Sequence, residues 1–282
     1  MKKRLIVFFT CILLVFSITG CGSSSDDSST SSSGEALTVS MSGSTSMEDL
    51  VKLLSEKVKT NDPSITLNGE FIGSSAGVEQ LLSGNSDIGN ASRNLSDDEK
   101  ASGAVENIVC YDGIAIIENS ANTTTNLTKD QLIAIYKGEI TNWSDVGGPD
   151  LPITVVGRES GSGTREAFES LLDLEDQCAL AQELDSNGAV ISVVNRTEGA
   201  IGYASLNLVD DSTTLVNKLT LDGVEATEAT IKSEEYSLFR PFVMATLGEI
   251  DTQNDAVKAL FDYIQSDAGQ EDISSLGLIP AE

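Results

Sequence analysis

The sequence predicts an α/β fold, and three observations carry that reading. Apolar strand-like runs alternate with helical runs along the chain, the pattern that builds a sheet covered by helices. Three loops rich in glycine, serine and threonine each stand between a strand-like run and a helical run. In such sheets ligands sit beyond the carboxyl ends of strands, which is where all three loops fall.

The first strand is Leu37 to Met41, followed by the loop Ser42-Gly43-Ser44-Thr45-Ser46. A helix comes next, with Met47, Leu50, Val51, Leu54 and Val58 on one side. Ile65 to Phe71 alternates as a second strand and runs into Gly73-Ser74-Ser75-Ala76-Gly77. Val78, Leu81 and Leu82 mark a short helix ending at Gly84. Asp87-Ile88-Gly89 forms a short strand leading to Ser92-Arg93. A buried strand is expected over Gly113 to Ile117, and a helix over Lys129 to Tyr136 that stops at Gly138. Ile153 to Val156 is a further strand, and Arg165, Ala167, Phe168, Leu171 and Leu172 trace the helix after it.

Between those last two elements lies the most informative stretch, Gly157-Arg158-Glu159-Ser160-Gly161-Ser162-Gly163-Thr164. Glycines let the backbone approach a ligand, and the free N–H groups of the helix start point out of its end. Serine and threonine add hydroxyl donors, and Arg158 supplies a fixed, forked cation. Together these make a socket for a small oxyanion. A single Gly/Ser/Thr cluster is ordinary capping material; three of matching construction, one holding an arginine, point to a shared anion site.

The chain's first residues read as a secretion signal. Met1-Lys2-Lys3-Arg4 is a basic leader, Leu5 to Phe16 an apolar stretch too short for a stable span, and residues 1–20 the removed peptide. Ile18-Thr19-Gly20-Cys21 resembles a bacterial lipobox, which implies a lipid on Cys21. Residues 21–34, of which eight are serine, are expected to tether the body near the outer membrane face.

Formal charge is −27. Without Lys2, Lys3 and Arg4, 14 of the 17 basic residues face 44 acidic ones, a net −30. This excludes nucleic acid as a partner. It does not exclude a small anion, because screening over about 8 Å lets buried local donors dominate a closed site. Cys110 and Cys178 are as easily two buried apolar side chains as a disulfide, and no pairing is assigned.

The chain contains no histidine. That removes Ser–His–Asp hydrolysis, histidine-bearing zinc sites and histidine acid–base chemistry. The match of Gly73-Ser74-Ser75-Ala76-Gly77 to a nucleophile elbow therefore leaves Ser75 without a base. No serine stands three residues before a lysine, no phosphate-binding G-x-x-x-x-G-K-[ST] loop occurs, and no EF-hand spacing appears. The sequence thus predicts a binder without catalytic residues, cofactor or metal, and not an enzyme.

With those residues placed, the chain resembles the substrate-binding lipoproteins of bacterial ABC-type phosphate importers, from Ser42 to about residue 280. The Gly157–Thr164 stretch is the most specific element. Ser44-Thr45-Ser46, Gly73-Ser74-Ser75, Ile135-Tyr136-Lys137-Gly138-Glu139-Ile140-Thr141-Asn142-Trp143 and Glu198-Gly199-Ala200-Ile201-Gly202-Tyr203 support it. The resemblance implies a two-lobed periplasmic-binding-protein fold of type II, with lobe I over 35–113 plus 243–282 and lobe II over 114–242. It further implies a monomer that holds inorganic phosphate in the cleft and delivers it to an ABC permease. By motif matching, Thr45, the Ser46 backbone and Ser74 bind from one lobe, and Arg158, Ser162, Gly163 and Thr164 from the other.

One departure matters. Family members place an aspartate after the short strand, to accept the proton of hydrogen phosphate; here Arg93 stands there. Asp112 is the expected replacement and Glu159 the second choice. Arg93 itself reads either as a ligand contact or as a structural arginine paired with an acid. Tyr136, Trp143 and Tyr203 are expected to pack the core, and Asp97-Asp98-Glu99 to be solvated surface. The other readings are a receptor for sulfate or another tetrahedral oxyanion, a metal-dependent surface phosphohydrolase, and a surface adhesin or sensor.

Overall fold

A computed structural model describes residues 37–212 and 216–281. The predicted signal, Cys21 and the serine tether lie outside the described residues. β1 (Leu37–Gly43), α1 (Glu48–Asn61), β2 (Ile65–Phe71), α2 (Ser74–Leu82) and β3 (Ile88–Ala91) open the described chain. β4 (Ile108–Asn119), β5 (Thr154–Arg158), α3 (Gly163–Leu171), β6 (Gln182–Leu184), α4 (Asn187–Arg196), β7 (Ala200–Ser205) and β8 (Phe239–Leu247) follow. Their order across one mixed sheet is β2-β1-β3-β8-β4-β7-β5-β6.

Each element follows from its sequence. α1 buries Leu50, Val51, Leu54 and Val58 on one face, with Glu48 and Asp49 in its first turn and Lys59 in its last, matched to the helix dipole. β1 pairs parallel with β2 and β3, so all three end on the same sheet edge, at Gly43, Phe71 and Ala91. Gly43 is needed there: its φ is +143°, and a Cβ would overlap the carbonyl of Asn90. β5 runs parallel to β6 and β7 and delivers Arg158 at its end.

Two main apolar cores lie on either side of the central strands. One gathers Val39, Met41, Leu50, Ile65 and Ile88 with Cys110, Phe242 and Leu260. The other gathers Ile114 to Ile117, Trp143, Val156, Phe168, Val190, Ile201 and Leu238. The change of core occurs between Cys110 and Ile114 on β4, and between Leu238 and Phe242 around β8. These strands pair antiparallel there, with Asp112 directly opposite Arg240. β4 is thus much longer than the predicted strand over Gly113 to Ile117, because it serves both cores. Cys110 and Cys178 are unpaired, the first wholly buried.

The aromatic residues pack as expected. Phe168 stacks on Tyr203 with centroids 4.1 Å apart, Tyr136 tilts against both, and Trp143 Nε1 donates to the Gly199 carbonyl at 2.9 Å. Among the described residues no helix is long and apolar enough to cross a membrane.

Candidate anion-binding site

Four loops meet where the two cores face each other. After β1, Ser44 caps a short 3₁₀ turn over Thr45–Met47, and Thr45 and Ser46 are buried. α2 begins at Ser74, which is wholly buried. Ser92 follows β3, and its N–H donates to Ser74 Oγ at 3.1 Å while its hydroxyl lies 2.9 Å from Ser44 Oγ. From the second core come Ser162, the N-cap of α3, and Thr164 in its first turn, each 1 % exposed.

The two sides touch. Ser46 Oγ lies 2.9 Å from Thr164 Oγ1. Asn187, at the start of α4, donates through Nδ2 to Thr45 Oγ1 at 3.1 Å and Ser46 Oγ at 2.9 Å. A Cβ on Gly163 would overlap Ser74 Oγ, so only glycine permits this approach. The structure therefore brings Thr45, Ser46, Ser74, Gly163 and Thr164 together, with Ser162 next to them in the chain.

Arg158 is 1 % exposed. Its Nε and Nη2 donate to the carbonyls of Leu184 and Asp185 at 3.1 and 2.9 Å, and its own N–H donates to Tyr203 Oη at 3.2 Å. Burial lowers its pKa, while Tyr203, Glu159 and Asp185 pull it back. The aromatic stack thus fixes the backbone that carries the cation.

Asp112 is 1 % exposed and sits at the site on β4. Its Oδ2 accepts from Ser205 Oγ at 2.6 Å and from Arg240 Nη2 at 3.0 Å; Oδ1 is 3.4 Å from the Asn207 N–H. Burial raises its pKa, and Arg240 opposes the rise.

Of the two readings of Arg93, ligand contact or structural arginine paired with an acid, its surroundings favour the second. Arg93 forms a two-pronged pair with Glu99 at 2.8 Å on each arm, donates to the Asn94 carbonyl and Ser75 Oγ, and pairs through Nε with Glu166. A guanidinium already facing two carboxylates is a poor partner for a further anion. Glu99 is correspondingly no free surface charge: it completes a capping box with Ser96 and holds Arg93.

Sequence reasoning missed Arg240, Asn187 and Ser92. Ser92 follows its strand as the other loop serines do and could have been found. Asn187 and Arg240 carry no motif. Beside Arg240 opens a cleft of about 560 Å³, rimmed by Arg93, Gly161, Arg165 and Glu166. Hydroxyls, amides and guanidinium groups here can hold an anion. No cluster of acidic or cysteine side chains suited to a metal occurs among the described residues.

Comparison with known proteins agrees with this geometry. A family model described as the PBP superfamily domain matches residues 28–268. The chain belongs to the PBP superfamily. Within it, the chain is 30 % identical to the phosphate-binding protein PstS of Bacillus subtilis (strain 168), over 99 % of this chain and 94 % of that one. A Clostridium perfringens protein assigned as a phosphate ABC transporter substrate-binding protein, solved with bound phosphate, superposes with a TM-score of 0.82. It is 39 % identical, covering 87 % of this chain and all of the other. An ABC-type phosphate transport receptor from Vibrio cholerae gives a TM-score of 0.71 at 35 % identity, over 86 % of this chain and all of its own. The two-lobed α/β fold of the PBP superfamily accounts for the paired cores and the two crossing strands.

Proposed function

We propose that this chain is a receptor that captures inorganic phosphate outside the cell and delivers it to an ABC-type permease. The observation that carries the reading is the convergence of buried hydroxyls from both cores, on loops one of which opens with the buried Arg158. These hydroxyls pair with one another, and an oxyanion between them would accept their hydrogens instead. Relatives named for phosphate binding, matched over nearly their whole length, supply the ligand's identity. There is no chemical step; lobe closure around the anion signals that cargo is present.

Lobe I comprises 35–113 plus 243–282 and lobe II 114–242, a division the two cores favour. Thr45, Ser46 and Ser74 bind from lobe I; Arg158, Ser162, Gly163 and Thr164 bind from lobe II; Asp112 accepts the proton of hydrogen phosphate. Such an acceptor favours protonated phosphate over sulfate, which would bring two anions face to face.

Calorimetric titration of the purified body tests the reading. Phosphate should bind at least a hundredfold more tightly than sulfate, roughly 2.7 kcal/mol, and Arg158→Ala should cost about 2–5 kcal/mol of binding in a chain that still folds. Comparable affinities would favour a general oxyanion receptor. A lipid on Cys21 would anchor the protein, as a monomer, at the outer membrane face. Fractionation of cells carrying Cys21→Ala should then find it released or unprocessed; a cleaved, membrane-bound form would reject that anchor.

A further inference from the structure

Arg240 is the buried cation that the reading above leaves unused. It lies on β8, directly opposite Asp112 on β4, at the point where the chain passes from one core to the other. Only 2 % of it is exposed. Nη2 donates to Asp112 Oδ2 and to Ser46 Oγ, each at 3.0 Å. Nε and Nη1 have no hydrogen-bond partner. The Phe242 ring lies 5.4 Å from the guanidinium carbon and offers a face, which does not satisfy N–H donors.

A guanidinium has five N–H donors, and leaving several of them buried and unmet is expensive. Asp112 balances the charge but meets one nitrogen. Ser46, the other partner, itself touches Thr164 and Asn187, so the Nη2 end of the guanidinium stands at the socket where the loops converge, and Arg240 also lines the adjoining cleft. Arg158 is close enough that its charge acts on Arg240.

We infer that Arg240 is a second cationic contact for the bound tetrahedral oxyanion, held in place by Asp112. This inference rests on the phosphate reading of the same site. With Arg158 and Arg240 set against Asp112, the socket keeps one net positive charge. Arg240 reaches the anion from the crossing strands, so the ligand is tied to the segment about which the lobes move as well as to the lobes themselves. Asp112 is then a positioning residue for Arg240, whatever else it accepts.

The test uses the full chain and inorganic phosphate. Titration calorimetry compares the unsubstituted protein with Arg240→Lys and with Asp112→Asn/Arg240→Gln, which removes the pair as a neutral unit; melting of the unliganded proteins checks the fold. The double variant should bind about a hundredfold more weakly, and Arg240→Lys about tenfold, since ammonium keeps the charge and loses the fork. Arg158→Ala is the control that separates two failures. If the unsubstituted protein takes no phosphate, the functional reading and this inference fall together. If it binds, and Arg158→Ala loses binding while both Arg240 variants stay within about threefold, this inference alone is overturned. The unsubstituted protein gives an independent answer by nitrogen-15 NMR: phosphate should shift the Nε–H signal of Arg240 and slow its exchange with solvent. An unchanged signal means that trapped water, not the anion, meets these donors, and overturns the inference whether or not the variants fold.

Discussion

Arg93 and Glu166 reach toward each other across the cleft, Arg93 from the turn after β3 and Glu166 from the first turn of α3. Ser75 strengthens the link: its hydroxyl donates to Glu166 Oε1 at 2.8 Å and its N–H donates to the Gly161 carbonyl at 3.1 Å. Arg93 is anchored on its own side by Glu99. The pair therefore spans the two halves of the molecule at the mouth of the site, while the socket hydroxyls lie deeper. It can hold the closed form without touching the ligand.

Glu166→Gln tests this. The Glu166 side chain is 39 % exposed, so solvent screens the pair and its loss should cost about 1 kcal/mol or less of closure. Phosphate should bind up to about fivefold more weakly, with most of the change in the dissociation rate. Glu99→Gln is the comparator, because Glu99 lies on the same side as Arg93. It should lower stability and leave the dissociation rate nearly unchanged. Stopped-flow release rates for the two variants decide it; equal rates would show that the cross-cleft pair does not hold the cleft shut.

Much of the site was legible because its chemistry is local. The Gly/Ser loops announce themselves by strand, turn and helix cap within a few residues, so the loops that hold Thr45, Ser46, Ser74, Ser162 and Thr164 could be found from spacing, while the individual residues came from the family resemblance. Arg158 stands inside such a loop. Arg240 does not: it sits in a strand, in Phe239-Arg240-Pro241, and meets Asp112 only through antiparallel pairing across 128 residues. No periodicity in the chain encodes that register. Arg93 shows the opposite difficulty. Its place where family members carry an aspartate left a ligand contact open, yet what it faces is set by Glu99, six residues on, and by Glu166 across the cleft.

Glu118, near the end of β4, gives a prediction about stability. It is fully buried. Oε1 is 3.5 Å from Asn217 Nδ2, and Oε2 has no partner. Burial pushes its pKa from 4.5 up to about 7. Native Glu118 therefore keeps a proton that the unfolded chain releases, so its contribution to stability falls as pH rises from 4.5 to 7 and is level above that. Glu118→Gln should raise unfolding free energy at about pH 8 by on the order of 2 kcal/mol, and by far less near pH 5. Denaturant unfolding at the two pH values checks this; an equal gain at both would assign the effect to packing.

The last prediction concerns whether Asp112 reads the protonation of the ligand as well as holding Arg240. Ser205 Oγ stands 2.6 Å from both Asp112 Oδ2 and Asn207 Oδ1, and its single hydroxyl hydrogen can serve only one of them. Oδ1 of Asp112 has a long contact, 3.4 Å, to the Asn207 N–H. The Leu206 N–H also acts on this carboxylate, so a further hydrogen from the ligand would have to replace one of its weaker contacts, the long one from Asn207 first. Asp112→Asn keeps the shape and replaces one acceptor oxygen with a donor. It also leaves Arg240 without its counter-charge, a buried change that can cost about 3–5 kcal/mol of stability. Measuring phosphate and sulfate on the same folded variant removes that complication, because displacement of Arg240 acts on both anions while the proton acceptor matters only to the protonated one. Phosphate affinity should fall and sulfate affinity should hold or improve, narrowing the ratio by about tenfold, or 1.4 kcal/mol. An unchanged ratio would leave Asp112 as the anchor of Arg240 alone and make Glu159 the carboxylate to test next.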